Sequence, residues 1–219
     1  MIAIPHYIGP EDYLALESQS SIRHEYQRGL VYAMAGGSDN HERIAFNLLK
    51  LIDNHLGDAS GCRFHAGNVK VNYLDEFDAV ADLEDKAIHR SRIQTKKHIQ
   101  NPIGDQQHQF FYHPDAFVTC DVRDREDRYI KRYPKLIVEV LSPSTEAFDC
   151  GDKFKDYQLL DSLEEYVLIS QEHRRLECRR RSMAGDWETV VYELDDLVVL
   201  TIIGLEFGVA ELYRGIEAT

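Results

Sequence analysis

The chain of 219 residues lacks any long apolar segment, and its start lacks the features of an export signal. No stretch approaches the roughly 20 consecutive apolar residues that a membrane-spanning helix needs. The N-terminus reads Met1-Ile2-Ala3-Ile4-Pro5-His6, without the basic start and apolar run of a secretion signal. These absences predict a cytoplasmic protein with no membrane partner.

Cysteine is scarce, and its spacing excludes the common structural zinc motifs. The four cysteines are Cys62, Cys120, Cys150 and Cys178. No pair shows the two-to-four-residue gap of a zinc knuckle. We therefore expect four free thiols in a reducing cytoplasm.

Basic residues are outnumbered, with 25 Lys and Arg against 38 Asp and Glu and a formal net charge of -13. This balance argues against a protein that coats nucleic acid nonspecifically, because phosphate contact needs clustered Lys and Arg. It leaves room for an enzyme that meets DNA through a local basic patch. The arginines Arg174, Arg175 and Arg179 form one candidate patch, and the alternative is an ordinary solvated hairpin face.

The periodicity predicts an α/β fold in a single domain over 1–219. Ile44, Leu48 and Ile52 recur at helical spacing, and Asp39 followed by Glu42 fits a capping box. Near the C-terminus, the segments 176–181 and 187–194 predict a β-hairpin that turns at Ala184-Gly185-Asp186. A turn is also predicted at Gly29, before a strand that begins at Leu30.

Residues 75–109 interrupt this periodic pattern of apolar residues, because the segment is polar and weakly periodic. We interpret it as an insertion or mobile loop between two core strands. Five basic residues and no acid fall between Lys86 and His98. A solvated loop explains this charge, and a DNA-contacting arm is the alternative.

Glu139 stands inside the apolar run Pro134–Leu141. Strand alternation places Leu136, Val138 and Val140 on one face and Glu139 on the other, with apolar neighbours on both. This pattern is typical of an interior strand of a covered sheet. An ionised carboxylate there is costly unless a cation compensates it. A metal ion or a lysine would do so; the alternative is a glutamate that reaches solvent or pairs with an arginine.

Asp115 precedes Glu139 by 24 residues, with a polar turn between them. Neighbouring antiparallel strands joined by that turn would bring the two carboxylates together. Paired carboxylates offer the hard oxygen ligands that Mg²⁺ and Mn²⁺ prefer. By itself, however, Pro114-Asp115 is also a common turn dipeptide.

Lys153 follows Glu139 by 14 residues, in the first turn of a predicted helix. The intervening linker is long enough to fold that turn back over the strand end. An ammonium there could orient an attacking water and stabilise charge on a phosphate. Lys155 is the alternative, and either lysine could be an ordinary solvated helix residue.

Taken together, these motifs resemble one known family. The residues that carry the resemblance are Glu25-Tyr26 with Gly29, Met34 to Ser38 with His41 and Asn47, Pro114-Asp115, Ile137 to Thr145, Asp149, Lys153, Tyr157 and Glu165-Tyr166. Their order resembles the Uma-two-like putative restriction endonucleases of the PD-(D/E)XK nuclease superfamily. The resemblance covers about residues 10 to 205, apart from the 75–109 segment.

The resemblance implies a restriction-endonuclease-like fold, with a mixed central sheet flanked by helices. It implies a DNA endonuclease that uses Mg²⁺ or Mn²⁺ held by Asp115, Glu139 and the Val140 carbonyl, with Lys153 as the catalytic lysine. Glu25 matches a glutamate of the superfamily's first helix that supports the metal site; the alternative is a surface glutamate. A homodimer is expected because a duplex has two strands to cut.

One departure is visible, because the superfamily's lysine normally stands two residues after the second acid, where this chain has Leu141. A nuclease fold that binds nucleic acid or a partner without turnover is therefore the second hypothesis. A structural α/β protein without nucleic acid is the third. His41 is interpreted as a capping or packing histidine, with a role near the active site as the alternative.

Overall fold

The computed structural model describes residues 3–4, 7–57, 60–73 and 109–216, and the chain divides into two compact units. The first comprises Met1–Met34 and Asn72–Tyr112, and the second comprises Ala35–Val71 and His113–Thr219. The single domain over 1–219 stays a prediction. The proposed insertion at 75–109 lies, apart from Gln109, outside the described residues.

The described helices are α1 (Pro10–Gln19), α2 (Asp39–Leu56), α3 (Glu146–Cys150), α4 (Asp152–Tyr157) and α5 (Val209–Leu212). The strands are β1 (Ala3–Ile4), β2 (His24–Gln27), β3 (Leu30–Ala33), β4 (Arg63–Ala66), β5 (Lys70–Tyr73), β6 (Phe110–Tyr112), β7 (Ala116–Thr119), β8 (Ile130–Lys131), β9 (Pro134–Leu141), β10 (Glu165–Ser170), β11 (Arg175–Arg181), β12 (Trp187–Glu193), β13 (Leu197–Leu200) and β14 (Leu205–Gly208). None of these described helices is long and apolar enough to cross a membrane.

The first unit contains α1 and four antiparallel strands, in which β3 pairs with β1 and β2, and β2 also pairs with β6. The predicted turn at Gly29 is confirmed. Arg28 and Gly29 have φ values of 50° and 86°, as the tight turn between β2 and β3 requires. The core of the first unit is aromatic, since Tyr13 packs against both Tyr26 and Phe111 with ring centroids 5.2 Å apart.

The second unit is built on a six-stranded mixed sheet in the order β12-β11-β10-β9-β7-β4. The pair β9 and β10 is parallel, and the other four pairs are antiparallel. In addition, Lys70 and Val71 of β5 pair in parallel with β8. The expected mixed central sheet with flanking helices is confirmed, and the C-terminal hairpin is β11–β12, closed at Gly185 with φ 93°.

Helix α2 covers one face of this sheet. Its apolar stripe of Ile44, Leu48 and Ile52 is buried in one core with Val138 and Val140 of β9, as the helical spacing predicts. The helix begins at Asp39, but its cap differs from the predicted capping box. The Ser38 hydroxyl, one residue earlier, accepts a hydrogen bond from the His41 backbone N–H.

Helix α4 packs on the opposite face of the sheet. Phe154 stacks on Tyr166 of β10 at 5.1 Å, and Tyr157 lies 5.6 Å from the same ring. Because Ile137 and Glu139 alternate with the residues that face α2, the side chain of Glu139 is directed to the α4 face. The sheet therefore separates an apolar core under α2 from a layer that contains charged groups.

The prediction of four free thiols is wrong for two of the cysteines. Cys62 and Cys120 form a disulfide with a Cα–Cα distance of 4.0 Å, while Cys150 and Cys178 are free. Arg63 and Thr119 are register partners of the antiparallel strands β4 and β7, and Cys62 directly precedes Arg63 while Cys120 directly follows Thr119. Their 58-residue separation concealed this pairing, because the register is a tertiary property.

We predict that the double variant Cys62→Ala/Cys120→Ala unfolds with a free energy about 2–4 kcal/mol below that of the oxidised wild type, because the cross-link restricts the unfolded chain. Urea denaturation measures this loss, and Cys150→Ser is the control that should leave stability within about 0.5 kcal/mol. Thiol titration of denatured, unreduced protein should detect two thiols, and four would contradict the disulfide.

Candidate active site

Glu139 lies near the end of β9, the interior strand between β7 and β10. Its side chain is 5% exposed, and its register partner on β10 is the buried Leu168. The sequence-based expectation of a buried carboxylate in an apolar strand is therefore matched by the structure. A carboxylate in this position needs charged or hydrogen-bonding partners to remain ionised.

Asp115 directly precedes β7, the antiparallel neighbour of β9. Ala116 pairs with Val138 across the two strands. Asp115 comes one residue before Ala116 and Glu139 one residue after Val138, so the two acids occupy the next pair of opposing positions. Asp115 Oδ2 accepts a hydrogen bond from the Val140 backbone N–H at 2.7 Å. The other oxygen, Oδ1, lies 2.9 Å from His41 Nε2. The Asp115 carboxylate is thus held at both oxygens.

Lys153 supplies the cation beside Glu139. Its Nζ lies 2.9 Å from Glu139 Oε1 and 3.4 Å from Asp149 Oδ1, and the side chain is only 5% exposed. Lys155, by contrast, is 72% exposed and pairs with Asp152 on its own helix. The structure therefore brings Lys153, and not Lys155, to the glutamate.

A sharp break between α3 and α4 directs this lysine toward the sheet. A Cβ atom added at Gly151 would stand 2.8 Å from the Ala147 carbonyl oxygen, so a larger residue does not fit this junction. Asp149 precedes the break and Lys153 follows it. Asp149 therefore lies on α3 and Lys153 on α4, on the two sides of the break.

Two further residues join the site although sequence reasoning did not place them there. Tyr157 donates its hydroxyl to Glu139 Oε1 at 3.1 Å, and the buried Asp149 contacts Lys153. The Tyr166 hydroxyl donates to the Asp149 carbonyl oxygen at 2.9 Å, and burial raises the pKa of Tyr166 well above its usual range. Asp149 and Tyr157 belong to the residues that carry the family resemblance, which was the available signal.

His41 belongs to the site through its bond to Asp115, which was the alternative interpretation of this residue. Burial acts to lower the pKa of His41, but the hydrogen bond to Asp115 and the charges of Asp115, Glu42 and Asp149 outweigh it and raise the pKa. Its second ring nitrogen, Nδ1, is buried without a hydrogen-bond partner among the described residues. His41 therefore does more than pack or cap the helix, because it also holds the Asp115 carboxylate.

Glu25 is buried in the first unit, so it is not a surface glutamate, and it does not lie in the helix that the resemblance implied. It lies in β2, paired with Tyr32 of β3, and not in a helix. Alternation of His24 and Tyr26 with polar neighbours over only four residues was too short to distinguish a strand from a helix end. The role of Glu25 at the metal site stays a prediction.

The three arginines predicted to contact nucleic acid differ in their surroundings. Arg174 is exposed, and Arg175 pairs with Glu177 at 2.8 Å. Arg179 donates to the Cys150 carbonyl oxygen at 2.8 Å, and its guanidinium lies 4.6 Å from the Phe154 ring centroid. Arg179 therefore connects β11 to the helices that carry Lys153, and its predicted contact with DNA stays a prediction.

The site offers carboxylate and carbonyl oxygens, which are ligands that a divalent metal ion can take. Among the residues that the structure describes, no group of three or more His, Cys, Asp or Glu side chains is arranged to hold a metal. The Asp115 and Glu139 carboxylates are nevertheless hard oxygen donors of the kind that Mg²⁺ and Mn²⁺ prefer. In a strand, the N–H and C=O of one residue point to the same side, so the Val140 carbonyl is directed to the side of Asp115, to which its N–H donates. These oxygens fit such an ion.

Comparison with solved structures identifies the class of fold. The crystal structure of a putative nuclease belonging to DUF820 from Anabaena variabilis superimposes with a TM-score of 0.67 over 94% of this chain and 97% of that chain, at 16% identity. At this identity the likeness shows the fold alone. The second unit's mixed sheet and helices therefore belong to a nuclease-like α/β fold.

Sequence comparison identifies the family. Residues 10–84 and 94–210 match the Uma2 family, described as "Putative restriction endonuclease". Two Synechocystis sp. proteins are similar: the uncharacterized protein slr1290, 34% identical over 95% of this chain and 93% of its own length, and the uncharacterized protein sll1609, 26% identical over 89% and 91%. The chain belongs to the Uma2 family, as the resemblance predicted.

We predict that Lys153→Met lowers the free energy of unfolding by about 3 kcal/mol in metal-free buffer, because it leaves the buried Glu139 without its cation. Urea denaturation measures the loss, and Lys155→Met is a matched exposed control expected within about 0.5 kcal/mol of the wild type. The double variant Glu139→Gln/Lys153→Met should lose less than the sum of the two single variants. Additive losses would contradict a direct ion pair.

Proposed function

We propose that the chain is a divalent-metal-dependent endodeoxyribonuclease that hydrolyses phosphodiester bonds. The observation that carries the proposal is the buried pair of Glu139 and Lys153 beside Asp115, in a chain that belongs to a restriction endonuclease family. Such a pair is costly to bury, so its presence at a strand end favours a role in chemistry over a role in stability.

Asp115, Glu139 and the Val140 carbonyl would hold Mg²⁺ or Mn²⁺. When bound, the ion lowers the pKa of a water molecule and neutralises charge on the phosphate oxygens. The chain's own contribution is to present the two carboxylates in fixed positions. His41 and the Val140 N–H hold the two oxygens of Asp115, and Tyr157 and Lys153 hold Oε1 of Glu139.

Lys153 would act as an electrostatic and orienting group. Its ammonium already donates toward Glu139, and a charged donor directed at the reacting phosphate stabilises negative charge that develops during hydrolysis. It could also orient the attacking water through one of its N–H groups. In this proposal, Glu25 is a supporting residue, and Arg174, Arg175 and Arg179 contact the DNA.

A homodimer and a cytoplasmic location are part of the same proposal. Two copies would provide one active site for each strand of a duplex. A cytoplasmic location would bring the protein to DNA, although the disulfide between Cys62 and Cys120 is more typical of oxidising compartments. Sedimentation of the purified protein and fractionation of cells test these two points.

The second candidate function is binding of nucleic acid without turnover. The observation that favours it is Leu141, which occupies the strand position of the superfamily's usual lysine. Lys153 is engaged by Glu139 and Asp149, and a chain that kept it there permanently would retain a stable fold without catalysis. The cleavage assay separates the two functions.

We predict that wild-type protein with Mg²⁺ or Mn²⁺ converts supercoiled plasmid to nicked or linear forms. Glu139→Ala and Lys153→Ala should each reduce the rate at least about 100-fold, since each removes a group that stabilises charge in the transition state. Lys155→Ala, the exposed neighbour on the same helix, should cleave within about twofold of the wild type. Gel analysis of initial rates measures the effect, with circular dichroism as the check of folding.

Two outcomes would contradict this assignment. Absence of cleavage by the wild type on duplex, single-stranded and branched DNA with both ions would count against an enzyme. Equal rates for the wild type and Glu139→Ala would refute the site while leaving a nuclease elsewhere in the chain.

A further inference from the structure

A polar cavity lies at the far end of β7 from Asp115. Its enclosed volume is only about 20 Å³, room for about one water-sized group, and it opens to solvent. The lining residues that concern its charge are Arg63, His65, Thr119, Asp124, Arg125 and Lys131. The chain as a whole has a net charge of -13, so three cationic side chains around one cavity are a local exception.

The cations keep capacity to bind a further acceptor. The side chain of Arg63 is exposed and makes no hydrogen bond or ion pair within the described part of the chain, and Arg125 donates one Nη2 bond to the Gly61 carbonyl oxygen. The buried Lys131 ammonium donates to the carbonyl oxygens of Asp124 and Asp127. An ammonium has three donors and a guanidinium has five, so each group has donors left.

The acids around the cavity are already hydrogen-bonded. Asp124 accepts from the Thr119 hydroxyl at 2.5 Å and from the backbone N–H groups of Arg132 and Tyr133. Asp121, which also lines the cavity, is bound at both oxygens by Arg123. The Asp121 charge is therefore paired with Arg123, and both carboxylate oxygens of Asp124 are occupied by neutral donors.

His65 contributes an unused polar atom. Its ring packs on Phe117 with centroids 4.9 Å apart, and its Nε2 is buried without a hydrogen-bond partner among the described residues. Burial and the positive charges of Lys131 and Arg63 lower the pKa of His65 to about 4. The imidazole is thus neutral at pH 7, and in the Nε2–H tautomer it is a donor.

The cavity is fixed in shape and shares a sheet face with the carboxylates. The Cys62–Cys120 disulfide joins the residues next to Arg63 and Thr119. Thr119 stands four positions after Asp115 along the chain, so alternation places both on one face. At about 3.3 Å per residue, the two positions are about 13 Å apart along the strand direction.

From these observations we infer that the cavity lined by Arg63, His65, Arg125 and Lys131 is a phosphate-binding site, separate from the Asp115 and Glu139 site, which takes a backbone phosphate of the substrate strand. The charge and donor arrangement carry the anion site by themselves. The assignment of the phosphate to a nucleic-acid strand rests on the proposed nuclease function.

The test uses the full chain in EDTA, so that binding is measured without turnover. Inorganic phosphate is titrated by calorimetry, and a labelled oligonucleotide of twelve thymidines by fluorescence anisotropy over a range of NaCl concentrations. Arg63→Ala and Arg125→Ala should each weaken phosphate binding at least about fivefold, since each loses a charged donor. For the oligonucleotide, the log–log slope of affinity against salt should fall by about 0.7 for each contact removed.

Arg128→Ala is the matched control, because Arg128 is an exposed arginine of the same loop that does not line the cavity. It should leave phosphate affinity unchanged, and Arg63→Lys should retain most of it. Thermal melting verifies folding, and both replaced arginines are exposed.

The outcomes separate the parts of the inference. No phosphate binding by the wild type, or equal binding by the wild type and both alanine variants, overturns the site. Loss of phosphate binding with an unchanged oligonucleotide slope supports the anion site and overturns its assignment to a strand. Loss of both supports the full inference. The binding test requires no cleavage. A protein that is inactive in the plasmid assay therefore still shows whether the phosphate site exists.

Discussion

The second unit depends on one electrostatic constraint, which is that the Glu139 carboxylate is buried in an interior strand. The ammonium of Lys153, 2.9 Å away, compensates that charge. This pairing requires α4 to pack on the sheet, and the packing in turn requires the break at Gly151 and the stacking of Phe154 on Tyr166. Replacing one member of such a buried pair leaves an uncompensated charge, so the chemistry and the tertiary structure of this layer cannot be altered independently.

Much of this arrangement could be predicted from the sequence because it is local or alternating. Period-two alternation in 134–141 identified the face of Glu139, and helical spacing identified the stripe on α2. The polar turn between Asp115 and Glu139 favoured antiparallel neighbours, and β7 and β9 pair in that way. The choice between Lys153 and Lys155 could not be made, because it depends on about 200° of helix rotation that only docking determines.

Two contacts were not predicted from the sequence because they are not local. His41 reaches Asp115 across 74 positions, and Cys62 reaches Cys120 across 58. Neither contact has a local signature, since each depends on where α2 or β4 packs against β7. Glu25 is a separate, local case, because its strand of four residues is too short to display a period that distinguishes a strand from a helix end. The limit in the cases of His41 and Cys62 is that pattern reports secondary structure and not tertiary register.

The position of Lys153 on a helix also affects how relatives of this chain should be searched for. Under the proposed function, catalysis would constrain where the Lys153 Nζ atom stands in space, and several backbone routes can deliver it there. In this chain Lys153 stands on the second of two short helices, whereas the strand position holds Leu141. A search that demands a fixed linear interval between acid and lysine would therefore discard chains of this type. A criterion based on a buried acid and any lysine able to reach it would retain them.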